Sequence, residues 1–428
     1  MPVFALVDCN NFYASCEKLF DPSLRDTPIV VLSNNDGCVV ARSAESKALG
    51  VPMGAPWFQL QELAKQHGIR AFSSNYALYA DMSSRVVEIL RGFTPSLEVY
   101  SIDESFLVLD GLPGSLEDIG RDIRERVATW VGLPVCVGIA STKTLAKLAN
   151  HAAKKALAGR DGVCDFGAMG PDELSALFAR IPVSEVWGVG RRLDERLAEL
   201  RIGTVKELRD APPAWIRERF SVVLERTVRE LNGVSCLDLE DVAPDKQQIM
   251  ASRSFGNPVF DLDGLSESVA SHTTRAAEKL RAQRHVAGAV TVMIRSNPFK
   301  PWEPQYNRSE VVPLAEPSAD TRDLIRAALA GLRRIYREGY AYKKAGVMLC
   351  GLEPQQCRQG SLLIDPEREQ RSAALMQAMD RINERWGRGS LRPLATGFDP
   401  GWRMRREKLS PAWTTRWDQI PVVGSMKP

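Results

Sequence analysis

The feature that most constrains this chain is a carboxylate closing one apolar strand-like run and a carboxylate pair inside another. Residues 3–8 are apolar and end on Asp8; residues 97–110, rich in β-branched and aromatic side chains, carry Ser101-Ile102-Asp103-Glu104-Ser105 at their centre. The pattern predicts a buried strand for the first and two strands joined by a tight turn for the second. An acid within such strands is costly unless its charge is compensated. Adjacent carboxylates repel each other and tend to take up protons. A divalent cation removes both penalties. Hard oxygen ligands at an open site suit magnesium, and two such ions can activate a hydroxyl and stabilise a leaving pyrophosphate. The same residues also read as solvated acids at strand ends, and an Asp-Glu pair taken alone favours that simpler reading.

Around these acids the chain alternates. Residues 28–32 and 135–140 read as strands, and residues 11–20, 75–91 and 142–156 as helices, with Leu78, Met82, Val86 and Ile89 on one stripe. This predicts an α+β domain on a mainly antiparallel sheet. Residues 171–240 read as helical and charged. Residues 248–350 read as β-α-β-β-α-β, the split pattern of a ferredoxin-like sheet, after a linker at 242–246. Beyond residue 352 the texture changes to a flexible connector. The tail after it holds Trp386, Trp402, Trp413 and Trp417 and reads as a small helical or partly ordered extension.

Composition adds limits. No apolar run approaches the ~20 residues needed to span a bilayer, and the N-terminus lacks a signal-peptide pattern, so a cytoplasmic protein without membrane contact is expected. Eight cysteines without a C-x-x-C pair and four histidines argue against structural zinc and for reduced thiols. The net charge of +3 does not announce a nucleic-acid binder. Basic residues cluster at Lys143, Lys147, Lys154 and Lys155 and at Arg403, Arg405, Arg406 and Lys408. A solvated helix face is the ordinary reading of any one cluster.

Three ordered segments change the balance. Asp8-Cys9-Asn10-Asn11-Phe12-Tyr13-Ala14-Ser15-Cys16-Glu17, Ser101-Ile102-Asp103-Glu104-Ser105, and Gly138-Ile139-Ala140 followed by Thr142-Lys143-Thr144-Leu145-Ala146-Lys147 resemble the three catalytic motifs of the Y-family DNA polymerases. Further stretches are similar to the family's UmuC branch, the catalytic subunit of bacterial polymerase V. These are Leu32-Ser33-Asn34-Asn35-Asp36-Gly37-Cys38-Val39, Phe72-Ser73-Ser74-Asn75-Tyr76, Val186-Trp187-Gly188-Val189-Gly190-Arg191-Arg192 and Lys344-Ala345-Gly346-Val347-Met348-Leu349.

The resemblance implies a multidomain right-hand polymerase. Its palm would be residues 1–21 and 76–170, its fingers 22–75, its helical thumb 171–241 and its little finger 246–352, with a C-terminal extension at 353–428. It implies error-prone, template-directed bypass of damaged bases in the SOS response, with primer–template DNA and dNTPs as substrates. A catalytically inactive accessory protein of the same fold and a DinB-like polymerase IV are the alternatives. By resemblance Asp8, Asp103, Glu104 and the Cys9 carbonyl would hold two Mg2+ ions. Tyr13 would be a steric gate against the ribose 2′-hydroxyl, with Phe12 beside the nucleotide or in the core. Lys154 would meet the triphosphate. Ala44 and Lys47 replace the Tyr and Arg common in relatives, which leaves Arg42 and Lys47 as further candidates.

Residues 181–208 suit a helix-hairpin-helix in which Gly188, Gly190, Arg191 and Arg192 grip DNA phosphates, since glycines and a helix N-terminus expose free amides. Gln359, Leu362 and Leu363, in Gln359-Gly360-Ser361-Leu362-Leu363, resemble a sliding-clamp-binding peptide or form an ordinary linker. A cleaved UmuD dimer and RecA follow as partners from the resemblance alone.

Overall fold

The first apolar run folds as strand β1 (Phe4–Cys9), in which every residue but Asp8 is buried. The computed structural model describes residues 2–240, 245–357, 366–398 and 401–420. They divide into one unit of Met1–Ser33, Gly37–Ala243 and Lys408–Pro428 and another of Asn34–Asp36 and Pro244–Glu407.

In the first unit β1 leads into helix α1 (Phe12–Leu19). A small layer follows: β2 (Ile29–Leu32), β3 (Val39–Arg42), α2 (Ala44–Ala48), α3 (Gln61–His67) and β4 (Arg70–Ser73). Its strands run β3-β2-β4 over a core of Val30, Leu32, Val39, Val51 and Ile69. Next come α4 (Tyr76–Arg91), β5 (Leu97–Val99), β6 (Glu104–Val108), α5 (Leu116–Trp130), β7 (Val135–Ala140), α6 (Lys143–Lys154) and β8 (Val163–Asp165).

The five-stranded sheet runs β5-β6-β1-β7-β8, antiparallel except for β7 with β8. Side chains of a strand alternate between faces, and β1 uses both. Phe4 and Leu6 pack with Ala146 and Ala149 of α6, whereas Ala5, Val7 and Cys9 pack with Phe12, Leu78 and Ile123 of α1, α4 and α5. Burying each such aliphatic or aromatic side chain contributes about 1.5–3 kcal/mol. Asp8 shares the parity of Phe4 and Leu6, so it faces α6.

Helix α6 lies tight on the sheet because β7 offers Gly138. A Cβ there would stand 2.0 Å from the Asn150 nitrogen and 2.3 Å from the Ala146 carbonyl oxygen. Asn150, 2% exposed, completes the join by donating to the Leu6 and Cys136 carbonyls at 3.2 and 2.8 Å.

Helices α7 (Pro171–Phe178), α8 (Arg191–Glu199), α9 (Val205–Asp210), α10 (Pro213–Arg219) and α11 (Val222–Leu231) continue the first unit. Thr204 and Glu207 form a capping box at the start of α9. The helix predicted ahead of the Gly188-Val189-Gly190 hairpin is only a 3-10 turn, Val183–Glu185. Pro182 opens that turn, and Val186 and Val189 then dive into the core, which leaves no length for a helix. Lys143 departs from the solvated face predicted for its cluster. It is 3% exposed, pairs with Glu98 and donates to the Asp238 carbonyl at 2.6 Å.

The second unit contains β9 (Ile249–Val259), α12 (Leu262–Ala282), β10 (His285–Ser296), β11 (Asn307–Ser318), α13 (Thr321–Ile335), β12 (Tyr342–Pro354) and α14 (Pro366–Trp386). The element order is the split βαβ one expected. The antiparallel sheet runs β11-β10-β12-β9, so the second and fourth of these strands are central, a variant of the ferredoxin order. Gly346 lets β9 close on β12, since a Cβ there would fall 2.4 Å from the Ser252 Cβ. Leu265, Val269 and Leu280 of α12 and Leu324, Ala328 and Leu332 of α13 share one core with the sheet.

The tail beyond the connector contains a helix, in line with the small helical extension expected there. In α14, Met376 and Met379 are buried, and Asp380 makes a two-pronged ion pair with Arg281 at 2.6 and 2.7 Å. Trp402 packs against Phe255 and His272. Gln359, Leu362 and Leu363 lie outside the described residues. Among the described residues no helix is long and apolar enough to cross a membrane.

Candidate active site

Strands β1 and β6 pair with Asp8 opposite Glu104, at the roughly 5 Å Cα spacing of antiparallel neighbours. Asp103 is fastened to them by the backbone: the Cys9 N–H donates to the Asp103 carbonyl at 2.9 Å. The Ser101 hydroxyl shapes the turn before β6. It donates to Asp103 Oδ1 at 2.7 Å and accepts the Asp103 and Glu104 N–H groups at 3.3 and 3.0 Å. An acid and an acid pair that lie far apart in sequence thus come together where β1 ends and β6 begins.

Helix α6 faces them. Lys147 and Lys154 are two helical turns apart and share a face. Lys154 Nζ lies 2.5 Å from Asp8 Oδ2. Lys147 Nζ donates to both Glu104 oxygens at 2.7 and 2.9 Å and sits over the Tyr100 ring at 4.8 Å. Burial raises the Asp8 pKa to about 6 against the pull of Lys154, with Glu104 and Asp103 adding to the rise. Among the described residues no three acidic, histidine or cysteine side chains are already drawn together as a metal-holding group; Asp8 and Glu104 are turned toward lysines. The donor set still suits a hard dication. It is all oxygen, it is paired across two strands, and its most desolvated member gains most from a nearby positive charge.

Lys47 reaches the same place from α2, donating to Asn11 Oδ1. Burial lowers its pKa, and Arg42, Lys154 and Lys155 lower it further while Asp8 opposes them. Lys47, Lys147 and Lys154 therefore border the acids. Arg42 is partly committed, since its Nη1 donates to the Val51 carbonyl at 2.7 Å. Asn11 takes a left-handed φ of 51° as it caps α1, a conformation Asn tolerates.

Of the two motif aromatics, Phe12 is 3% exposed and belongs to the core. Tyr13 stacks face to face on Tyr79, ring centroids 4.4 Å apart and planes at 15°, and meets Tyr76 edge-on at 6.2 Å. Tyr79, Asn150 and the burial of Glu17 escape the sequence reading, which names Lys147 only within a basic cluster and the third motif. The seven-residue spacing of Lys147 and Lys154 is the available signal that both lysines face one site. Nothing local marks the others.

At the start of α8, Gly190 caps the helix without a side-chain bond and Gly188 adopts a φ of 89°. Gly190, Arg191, Arg192 and Leu193 line an open hollow of about 450 Å³. The Arg191 side chain is 87% exposed. Free amides and exposed guanidinium groups are donors chemically suited to an anion such as phosphate.

Residues 7–151 match the impB/mucB/samB family, residues 246–362 match that family's C-terminal domain, and residues 373–423 match a domain of unknown function. The chain is 47% identical to Protein ImpB of Salmonella typhimurium over 423 residues, which covers 98% of this chain and 99% of that one. It is also 47% identical to Protein UmuC of Salmonella typhimurium strain LT2 over 420 residues, with the same coverage. The chain belongs to the impB/mucB/samB family, the UmuC-like Y-family DNA polymerases. Membership of this family disfavours a DinB-like assignment, since DNA polymerase IV of Moorella thermoacetica is 30% identical over 398 residues, 89% of this chain and 93% of that one.

Solved structures agree on the fold. A chimera of the Y-family polymerases Dbh and Dpo4 superposes with a TM-score of 0.63 at 19% identity, over 82% of this chain and 99% of its own. An insertion ternary complex of Dbh DNA polymerase gives 0.52 at 19% identity, over 81% and 98%.

Proposed function

We infer that this chain is a template-directed DNA polymerase that extends primers across damaged template bases with low fidelity. The observation that carries the reading is the meeting of Asp8, Asp103 and Glu104 at two paired strands, beside a helix presenting Lys147 and Lys154. Asp8, Asp103, Glu104 and the Cys9 carbonyl are the groups that would hold two magnesium ions. Magnesium bound there would activate a primer 3′-hydroxyl and neutralise charge on the leaving pyrophosphate.

The chain's own residues do the rest. Lys154 and Lys47 offer ammonium groups to the incoming triphosphate as point charges, with Arg42 behind them. Tyr13, held flat by Tyr79, lies under the sugar and excludes a 2′-hydroxyl, while buried Phe12 supports it from the core. Gly188, Gly190, Arg191 and Arg192 hold backbone phosphates, a contact that positions DNA without reading its sequence. On this reading residues 1–21 and 76–170 serve as palm, 22–75 as fingers, 171–241 as thumb and 246–352 as little finger. The kinship with the UmuC branch supports a cytoplasmic role in the SOS response with a sliding clamp, a cleaved UmuD dimer and RecA.

Primer extension with magnesium, on full-length chain supplied with those partners, tests the reading. Wild type is expected to add nucleotides; Asp8→Ala and Asp103→Ala are expected to add none. Both variants should bind primer–template within about two-fold of wild type at matched salt, because phosphate contacts set that affinity. A wild-type chain that adds no more nucleotide than Asp103→Ala removes the polymerase reading.

A further inference from the structure

The C-terminal segment returns to the first unit at Lys408 and runs beside β4. Leu409 forms a parallel bridge with Ser73; the Ser73 N–H donates to the Lys408 carbonyl at 2.9 Å, and the Lys408 N–H donates to Ser73 Oγ at 3.0 Å. Asn75, 6% exposed, then clamps the segment. Its Nδ2 donates to the Ser410 carbonyl, the Ser410 hydroxyl and the Pro411 carbonyl at 3.3, 3.0 and 3.2 Å. Its Oδ1 caps α4 by accepting the Leu78 N–H at 3.3 Å. Trp413 closes the run by stacking on Phe20, centroids 5.9 Å apart. Such a fastening, on a tail that supplies none of the acids, lysines or gate aromatics described above, calls for a reason.

Following the contacts inward supplies one. Ser410 and Glu17, a carboxylate on α1 that is 2% exposed, line the same hollow. Glu17 Oε1 accepts the Tyr79 hydroxyl at 2.5 Å. Tyr79 is fully buried and carries Tyr13 on its face. Asn75 reaches the same residue through the helix start, its carbonyl accepting the Tyr79 N–H at 3.0 Å. Two routes therefore run from the tail to one tyrosine pair.

We propose that residues 408–413 are a strap that positions the sugar gate: through Glu17 and the capped start of α4 they fix the Tyr79 ring on which Tyr13 rests. Ser410, Asn75 and Trp413 are positioning residues in this scheme and touch no nucleotide. The proposal rests on the reading of Tyr13 as the gate. It assigns a task to a segment inside the match to a domain of unknown function.

The test is single-nucleotide insertion opposite a template base, comparing kcat/KM for a deoxynucleotide with that for its ribonucleotide, on full-length variants. Asn75→Asp keeps the helix-capping oxygen and replaces the donor that holds the strap. Trp413→Ala removes the stack, and Ser410→Ala removes one hydroxyl. Each is expected to lower the deoxy-to-ribo preference about five-fold, the size of a modest coupling between sites, with the larger change in the ribonucleotide KM. Trp413→Phe should restore the preference. Tyr13→Ala, measured in parallel, should lose most of it.

Strap variants that lower the melting temperature yet keep the wild-type preference overturn the strap and leave the gate standing. An unchanged preference in Tyr13→Ala overturns the gate, and the strap proposal with it. Should Asn75→Asp not fold, Ser410→Ala decides alone, and an unchanged preference there overturns the proposal.

Discussion

Glu17 sits in the first motif, and only its surroundings reveal its state. Burial raises its pKa to about 7 although the Tyr79 and Ser410 hydroxyls oppose the rise. Its folded pKa lies above the ordinary value of 4.5. The folded chain therefore binds this proton more tightly than the unfolded chain does. The associated stability is full below the unfolded pKa and is lost as pH rises through the folded one. Between about pH 5 and 7, Glu17 should cost the fold about 1.4 kcal/mol for each pH unit. Glu17→Gln keeps an acceptor for Tyr79 and should flatten that part of the slope, read by chemical denaturation of wild type and variant across pH 5–8. An identical slope in both would show that Glu17 is ionised throughout. Asp8 contributes equally to both curves and cancels in the difference.

At the scale of elements, two paired strands and one helix build the site between them. Strand β1 sends odd and even residues to opposite cores, and that parity aims Asp8 at α6. Helix α6 can approach because Gly138 leaves room, and Asn150 then fixes its height on the sheet. Gly138→Ala places a methyl group against backbone atoms that cannot turn away. It is expected to cost about 3 kcal/mol, at the upper end for overpacking. It should also depress catalysis beyond the loss of folded chain, because Lys147 and Lys154 move with the helix. Denaturant titration gives the first quantity, and primer extension normalised to folded protein gives the second. Activity that falls only in proportion to folded chain would separate α6 placement from catalysis.

Across the whole molecule the first unit is assembled from three stretches of chain, the last of which follows the entire second unit. Residues 408–413 are therefore part of the first unit's fold, although they lie over 160 residues from the preceding piece. Deleting residues 408–428 removes the Asn75 clamp and the Trp413–Phe20 stack. It should lower the melting temperature of the first unit by roughly 5 °C, as expected for a loss near 2 kcal/mol in a domain of this size. The second unit's transition should stay where it was. Scanning calorimetry resolves the two, and a shift confined to the second unit would contradict this partition.

Most strands of the five-stranded sheet, the elements of the second unit and the three acids are legible in the sequence, because periodicity and charge within apolar runs are local properties, whereas β3, α2, α3 and β4 of the small layer are not. The run ending in Asp8, the Ser101–Ser105 turn and the β-α-β-β-α-β order of the second unit were legible for that reason. Only the folded chain shows which strand lies beside which, that Lys143 is buried while Lys147 and Lys154 face the acids, and that the segment after Lys408 is tied to Asn75. Those outcomes depend on close approach, on a glycine opposite a helix or an asparagine clamping a returning segment. A chain reports such contacts only once distant segments have met.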